Sequence, residues 1–76
     1  MNVKVYSTPT CPYCVRLKQF LKENNVSYED IDVSSDEARS REMVEKTGQM
    51  GVPSLDIDGQ IIVGFDKEAI KKALNI

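Results

Sequence analysis

Two cysteines, Cys11 and Cys14, are the residues of this chain whose type and spacing point most directly to chemistry. The chain has no other cysteine and no histidine, which excludes every His-dependent triad and most metal sites built from a single chain. A Cys-x-x-Cys pair is more often redox-active or metal-binding than structural, because a bridge across so short a loop removes little entropy from the unfolded chain. The pair therefore predicts disulfide exchange, in which one thiol must react as a thiolate.

The residues around the pair predict which cysteine attacks. The alternating segment Val3–Tyr6 is typical of a strand, and Pro12 suits the first position of a helix, where no N–H is needed. Cys11 would then be the N-cap, where free backbone N–H groups and the helix dipole favour a thiolate. Cys14 lies one turn further on, on the apolar face of the helix, so we expect it to be buried, less ionised and the resolving thiol.

Periodicity and turn signals predict the elements that must position the pair. The order is βαβαββα, which indicates one α/β domain over residues 1–76 with a four-stranded mixed sheet. We expect the first two strands to be parallel, a hairpin to add two antiparallel strands, and helices to cover both faces. The predicted elements are a strand over 3–6, a helix from Pro12 to about Asn24–Asn25, a strand over about 26–33, a helix with a Ser34–Glu37 capping box that ends at Gly48, a strand with Val52, Leu55 and Ile57, a turn at Asp58–Gly59, a strand over 60–63, and a helix capped by Asp66.

Composition and charge exclude several classes of function. The 76 residues include 10 Lys or Arg and 12 Asp or Glu, a formal charge of -2, so the chain lacks the basic excess of a nucleic-acid-binding protein. No apolar run approaches the roughly 20 residues that span a bilayer, and the first residues lack the apolar core of a signal peptide. We therefore expect a cytoplasmic monomer that binds neither nucleic acid nor membranes and holds no metal or other tightly bound cofactor.

A second signal lies downstream, where Gly51-Val52-Pro53 leads into a strand although proline cannot donate to a sheet ladder. With this segment the chain resembles the dithiol glutaredoxins of the thioredoxin-like superfamily over nearly its whole length. The residues that carry the resemblance are Val5-Tyr6-Ser7, Thr10-Cys11-Pro12-Tyr13-Cys14, Thr47-Gly48-Gln49, Val52-Pro53, Asp58-Gly59 and Gly64.

The resemblance implies a thioredoxin-like fold and a thiol–disulfide oxidoreductase that reduces protein or glutathione mixed disulfides. It implies that Cys11 forms the mixed disulfide, with glutathione as co-substrate, and that Pro53 is a cis-proline beside the dithiol. The Val52 backbone would then be free to pair with an extended substrate. The other residues that it places in the substrate groove are Thr8, Pro12, Tyr13, Gln49, Gly64, Phe65 and Asp66. For three of them another role stays open: packing for Phe65, a solvated loop for Gln49 and a helix cap for Asp66.

Two positions depart from the glutaredoxin pattern and leave the electron donor open. Glutaredoxins usually have Lys or Arg three residues before the first cysteine, where this chain has Thr8, and a second glycine where it has Phe65. Gly-Phe at this place is similar to the NrdH-type redoxins, which take electrons from thioredoxin reductase and donate them to ribonucleotide reductase but usually lack Cys-Pro-Tyr-Cys. An alternative of another class is a dimer in which Cys11 thiolates and glutathione hold an iron–sulfur cluster, an arrangement that the proline of Cys-Pro-Tyr-Cys disfavours.

Overall fold

The computed structural model describes residues 2–76, which form seven elements in the predicted order βαβαββα. Among these residues, no helix is both long enough and apolar enough to cross a membrane. The elements are β1 (Val3–Ser7), α1 (Pro12–Glu23), β2 (Glu29–Asp32), α2 (Glu37–Thr47), β3 (Ser54–Ile57), β4 (Gln60–Val63) and α3 (Lys67–Leu74).

The four strands form one mixed sheet in the order β2-β1-β3-β4. As predicted, β1 pairs with β2 in parallel, while β3 is antiparallel to both β1 and β4. Tyr6 of β1 lies opposite Ile31 of β2 and Ser54 of β3. The carboxyl end of β1, which leads into the cysteine loop, is thus flanked by strands on both sides and is held in place by the sheet.

Helices pack on both faces of the sheet, as the sequence predicts. Side chains alternate between the faces of a strand, so Val5 and Tyr6 enter different apolar clusters. The larger cluster joins the sheet to α1 and α3, and the smaller one joins it to α2 through Met43. The buried members of the larger cluster are Val3, Val5, Leu17, Leu21, Leu55, Ile57, Ile62, Ile70 and Leu74.

A polar network links α2 to the sheet beside the smaller cluster. The buried Tyr6 hydroxyl donates to the Glu42 carboxylate, and Lys46 Nζ donates to the Tyr6 hydroxyl at 3.0 Å and to Asp56 Oδ2 at 2.8 Å. The Lys46 ammonium holds the pKa of Asp56 below its usual range, and the bond from Tyr6 does the same for Glu42. The network therefore satisfies polar groups that would otherwise be costly to bury.

The start of α2 differs from the prediction. The N-cap is Asp36, whose Oδ1 accepts from the Arg39 N–H at 3.2 Å, so the predicted Ser34–Glu37 capping box is wrong. Ser34 instead donates its N–H and its hydroxyl to Asp32 Oδ1, at 2.9 and 2.6 Å. The Asp32 carboxylate, two residues before Ser34, thus binds both hydrogen-bond donors of Ser34 in a turn. Asp36 therefore caps the helix instead.

Two strand boundaries also differ from the prediction. β2 covers only residues 29–32, and at the predicted start of this strand the Val26 N–H donates to the Leu21 carbonyl at the end of α1, at 2.9 Å. β3 begins at Ser54, so Val52 lies in the loop before the strand and not within it. The predicted helix end at Gly48 is confirmed by its left-handed φ of 77°.

Candidate active site

Cys11 is the N-cap of α1, as predicted. Its backbone is extended, with φ −91° and ψ 112°, and its carbonyl accepts the first helical hydrogen bond from the Val15 N–H at 3.2 Å. The Cys14 N–H donates to Cys11 Sγ at 3.2 Å, so a donor that would be unpaired at a helix start is directed at the sulfur. The sulfur thus lies at the positive end of the helix dipole on a partly exposed residue.

Cys14 has the opposite environment one turn into the helix. Both cysteines are free thiols, but Cys14 is completely buried, with 0% of its surface exposed. Burial raises the pKa of the Cys14 thiol to about 11, and its contact with Cys11 acts in the same direction. Cys14 therefore stays protonated at neutral pH, and the two cysteines differ in accessibility as the sequence predicts.

The Val52–Pro53 segment faces the dithiol. Its peptide bond is cis, as predicted, and Cys11 Sγ lies 3.9 Å from the Val52 carbonyl oxygen. The carbonyl of the buried Pro53 accepts from the Gly64 N–H at 2.8 Å, which links this segment to the end of β4. Gly64 adopts a left-handed φ of 83°, a conformation that favours glycine. Val52, which lies 41 residues after Cys11, thus contacts the Cys11 sulfur.

The side chain of Gln49 holds the loop that presents Val52. Its Oε1 accepts from the Gly51 N–H, and its Nε2 donates to the Gly51 carbonyl at 3.1 Å and to Ser54 Oγ at 3.2 Å. Both ends of the amide are therefore engaged within the loop. This positioning role is neither of the two that the sequence left open, and contact of Gln49 with a ligand stays a prediction.

Three predicted groove residues lie in or next to the cysteine loop. Tyr13 is 58% exposed, and its ring stacks with the Arg16 guanidinium 5.2 Å from the ring centroid. Pro12 is exposed at the first position of α1, and the Thr8 carbonyl accepts from the Cys11 N–H at 3.4 Å. Tyr13 and Pro12 can therefore reach an incoming molecule, while Thr8 fixes the turn that leads to Cys11.

Phe65 and Asp66 both have structural partners. The Phe65 ring packs edge-on against Phe20, with centroids 5.9 Å apart, and contributes to the larger apolar cluster. Asp66 is the N-cap of α3, and its Oδ1 accepts from the Ala69 N–H at 3.2 Å. The packing and capping roles that the sequence left open are therefore occupied, and any ligand contact of these two residues stays a prediction.

A polar cluster of Lys18, Asp30 and Ser7 lies near the dithiol and was not predicted from the sequence. Lys18 Nζ lies 3.2 Å from Asp30 Oδ2 and 3.5 Å from Ser7 Oγ, and the Ser7 hydroxyl donates to Asp30 Oδ1 at 2.8 Å. The signal was present, because Lys18 follows Cys14 by four residues and so shares its helix face. Within residues 2–76, no group of three or more His, Cys, Asp or Glu side chains could hold a metal ion.

Comparison with known proteins agrees with this geometry. The glutaredoxin family model matches residues 3–62. The chain is 46% identical over 72 residues to a glutaredoxin-like 8.6 kDa protein of the rubredoxin operon of Clostridium pasteurianum, covering 95% of this chain and 96% of that one. It is 38% identical over 65 residues to glutaredoxin 3 of Escherichia coli, covering 86% and 78% of the two chains.

A solved structure shows the same fold. A variant of the thioredoxin-like protein BC3987 superimposes with a TM-score of 0.94 and is 40% identical, covering 99% of this chain and 96% of that chain. The match to the family model, the similarity to the two relatives and the shared fold all lead to one assignment. The chain belongs to the glutaredoxin family of the thioredoxin-like superfamily and is a thiol–disulfide oxidoreductase.

Proposed function

We propose that the protein is a glutathione-linked dithiol oxidoreductase that reduces protein disulfides and glutathione mixed disulfides. The observation that supports this most strongly is the asymmetry of the dithiol. Cys11 is partly exposed at the start of α1 beside the Val52 carbonyl, whereas Cys14 is buried and protonated one turn further in. One cysteine can thus meet a substrate while the other is kept from reacting first.

The reaction proceeds in two exchanges. The Cys11 thiolate attacks one sulfur of the substrate disulfide, forms a mixed disulfide with it and releases the other sulfur as a thiolate. Cys14 then loses its proton and attacks Cys11 Sγ, which forms the Cys11–Cys14 bond and expels the second substrate thiolate. Two glutathione molecules reduce this bond, restore the dithiol and are themselves joined as glutathione disulfide, so glutathione is a co-substrate and not a bound cofactor. The backbone of Val52, beside Cys11, pairs with the extended substrate during the first exchange.

Glutathione is the donor that the Cys-Pro-Tyr-Cys sequence and the likeness to glutaredoxin 3 of Escherichia coli favour. The exposed ring of Tyr13 supplies a further surface for it. Recognition is weaker than in a glutaredoxin with a basic residue at position 8, because Thr8 carries no charge for a glutathione carboxylate. We expect the enzyme to act as a monomer in the cytoplasm.

A second electron donor, thioredoxin reductase, is favoured by one specific observation, the packing of Phe65. Its ring fills the space against Phe20, where a second glycine would leave the backbone open to the γ-glutamyl end of glutathione. On this alternative the protein is NrdH-like, is reduced by thioredoxin reductase and passes electrons to ribonucleotide reductase.

One assay on the wild-type protein distinguishes the two electron donors. Turnover of a small disulfide is followed through NADPH oxidation, once with glutathione and glutathione reductase and once with thioredoxin reductase alone. We expect turnover with glutathione. Turnover with thioredoxin reductase, combined with no rate above background with glutathione, would replace the glutathione assignment by the NrdH-like one.

A further inference from the structure

Lys18 is turned towards the sheet, and most of its side chain is buried. Lysine is rarely buried unless it is paired, yet only 23% of the Lys18 side chain is exposed. Its ammonium group contacts Asp30 Oδ2 at 3.2 Å and Ser7 Oγ at 3.5 Å, and Ser7 itself is only 2% exposed. Lys22, one turn further along α1, is exposed. A single lysine of this helix is therefore held at the end of β1, where the chain leaves the sheet for the cysteine loop.

The Lys18 ammonium group is placed to influence Cys14, because Lys18 lies four residues after Cys14 on the same helix face. Burial raises the pKa of the Cys14 thiol most strongly, and Cys11 raises it further. The Thr8 backbone lowers this pKa, and the positive charge of Lys18 lowers it to a smaller extent. In the mixed disulfide Cys11 no longer has a proton or a charge, so its influence disappears and that of Lys18 remains.

We propose that Lys18 is a positioning residue: its ammonium group, held by Ser7 and Asp30, promotes loss of the Cys14 proton once Cys11 has formed a mixed disulfide. This inference rests on the proposed function, because it concerns the second exchange of that reaction. The Cys14 proton passes to solvent, the Cys14 thiolate attacks Cys11 Sγ, and the substrate sulfur leaves with the electron pair of the broken bond. Lys18 keeps its own protons throughout.

The charges around Lys18 determine how strongly it promotes ionisation of Cys14. Lys18 shares a cavity of about 580 Å³ with Asp30, Lys22 and Tyr28, which gives solvent access to the Lys18–Asp30 pair. Asp30 carries a negative charge that partly offsets Lys18, so neutralising it should act in the opposite direction from neutralising Lys18. The titratable groups that influence Cys14 are Cys11 and Lys18, and those that share the cavity with Lys18 are Lys22, Asp30 and Tyr28, the last of which directly precedes β2.

The two exchanges can be followed separately with dithiobis(nitrobenzoate), a chromogenic aromatic disulfide. Attack by Cys11 releases one nitrothiobenzoate, and resolution by Cys14 releases the second, so stopped-flow absorbance gives two phases. The second phase is unimolecular, and its pH dependence reports the ionisation of Cys14 in the mixed disulfide. The variants are Lys18→Met, the charge-retaining Lys18→Arg, Asp30→Asn, and Lys22→Met as a matched control on the same helix.

We expect Lys18→Met to move the pH midpoint of the second phase upwards and to slow that phase about fivefold at neutral pH. Lys18→Arg and Lys22→Met should stay close to wild type, and Asp30→Asn should move the midpoint downwards. The role of Lys18 is overturned if Lys18→Met leaves the rate of the second phase unchanged. It is also overturned if this variant slows the second phase by the same factor at every pH. Absence of a fast first phase, or of a second release from wild type, instead overturns the proposed function. If Lys18→Met fails to fold, Lys18→Gln, which removes the charge but keeps a polar side chain, is compared with Lys18→Arg in the same assay, and an unchanged pH midpoint in Lys18→Gln overturns the role of Lys18.

Discussion

Cys11 Sγ lies 3.9 Å from the carbonyl oxygen of Val52, a residue that the chain reaches only after β2 and α2. The contact brings the start of α1 against the loop before β3, and the amide of Gln49 holds that loop in shape. The partly exposed Cys11 and the loop backbone at Val52 thus share one surface. This arrangement suits a substrate that presents its disulfide from an extended segment.

We expect alkylation of the reduced protein to distinguish the two cysteines. At neutral pH iodoacetamide should modify Cys11 first, because Cys14 is buried and the pKa of its thiol is raised to about 11. Labelling of Cys14 should increase only as the pH approaches that value. Peptide mapping by mass spectrometry after timed quenching measures both rates. Faster labelling of Cys14 at pH 7 would reverse the assignment of attacking and resolving thiols.

We expect Thr8→Lys to lower the KM for glutathione. A charge-assisted hydrogen bond to a carboxylate is worth about 1.5–3 kcal/mol, so an improvement of about ten- to hundredfold in kcat/KM is expected. Thr8→Met is the matched control, since it adds an unbranched side chain of similar length without the charge. Steady-state kinetics with varied glutathione gives both values. Equal kinetics for the two variants would show that position 8 does not face a glutathione carboxylate.

We expect acid to weaken the network between α2 and the sheet. Lys46 lowers the pKa of Asp56 in the folded protein. The Asp56 carboxylate therefore stabilises the folded state fully above its unfolded pKa of about 4. This stabilisation is lost as the pH falls through the lower pKa of the folded protein. Asp56→Asn should reduce the free energy of unfolding by about 1.5–3 kcal/mol at pH 7 and flatten its dependence between about pH 5 and 3. Urea unfolding at a series of pH values measures both effects. Asp58→Asn, at an exposed position, is the control, and we expect it to change the free energy of unfolding little. An equal loss of stability in both variants would exclude a specific role for the Asp56–Lys46 pair.

The sequence predicted the features that depend on local signals. A proline after Cys11 gave the helix start, Asp58–Gly59 gave the hairpin turn, and both residues have the positive φ that this turn needs, 50° and 92°. Features that depend on competition between neighbours were predicted less well. Ser34 and Asp36 are both good helix caps, and only the position of Asp32 decides between them.

The contact between Lys18 of α1 and Asp30 of β2 was not predicted from the sequence. The Lys18–Asp30 contact requires β2 to pair in parallel beside β1, with Asp30 opposite Val5. The Gln49 contacts are local, yet the sequence equally allowed this amide to face solvent, and it turns inward because Gly51 and Ser54 offer it partners. The Lys18–Asp30 contact, in contrast, forms only once β1 and β2 have paired.

The most direct test of the two-cysteine reaction uses Cys14→Ser and oxidised glutathione. We expect the variant to form one glutathione adduct on Cys11 that persists, because the resolving thiol is missing, whereas wild type should pass to the Cys11–Cys14 disulfide and release glutathione. Intact mass spectrometry with peptide mapping, at timed intervals after mixing, follows both species, and Cys11→Ser is the control that should form no adduct at neutral pH. Persistent adduct on Cys11 in Cys14→Ser is the predicted result. Release from that variant at the wild-type rate, or an adduct on Cys14 in the Cys11→Ser control, would contradict the assigned roles of the two cysteines.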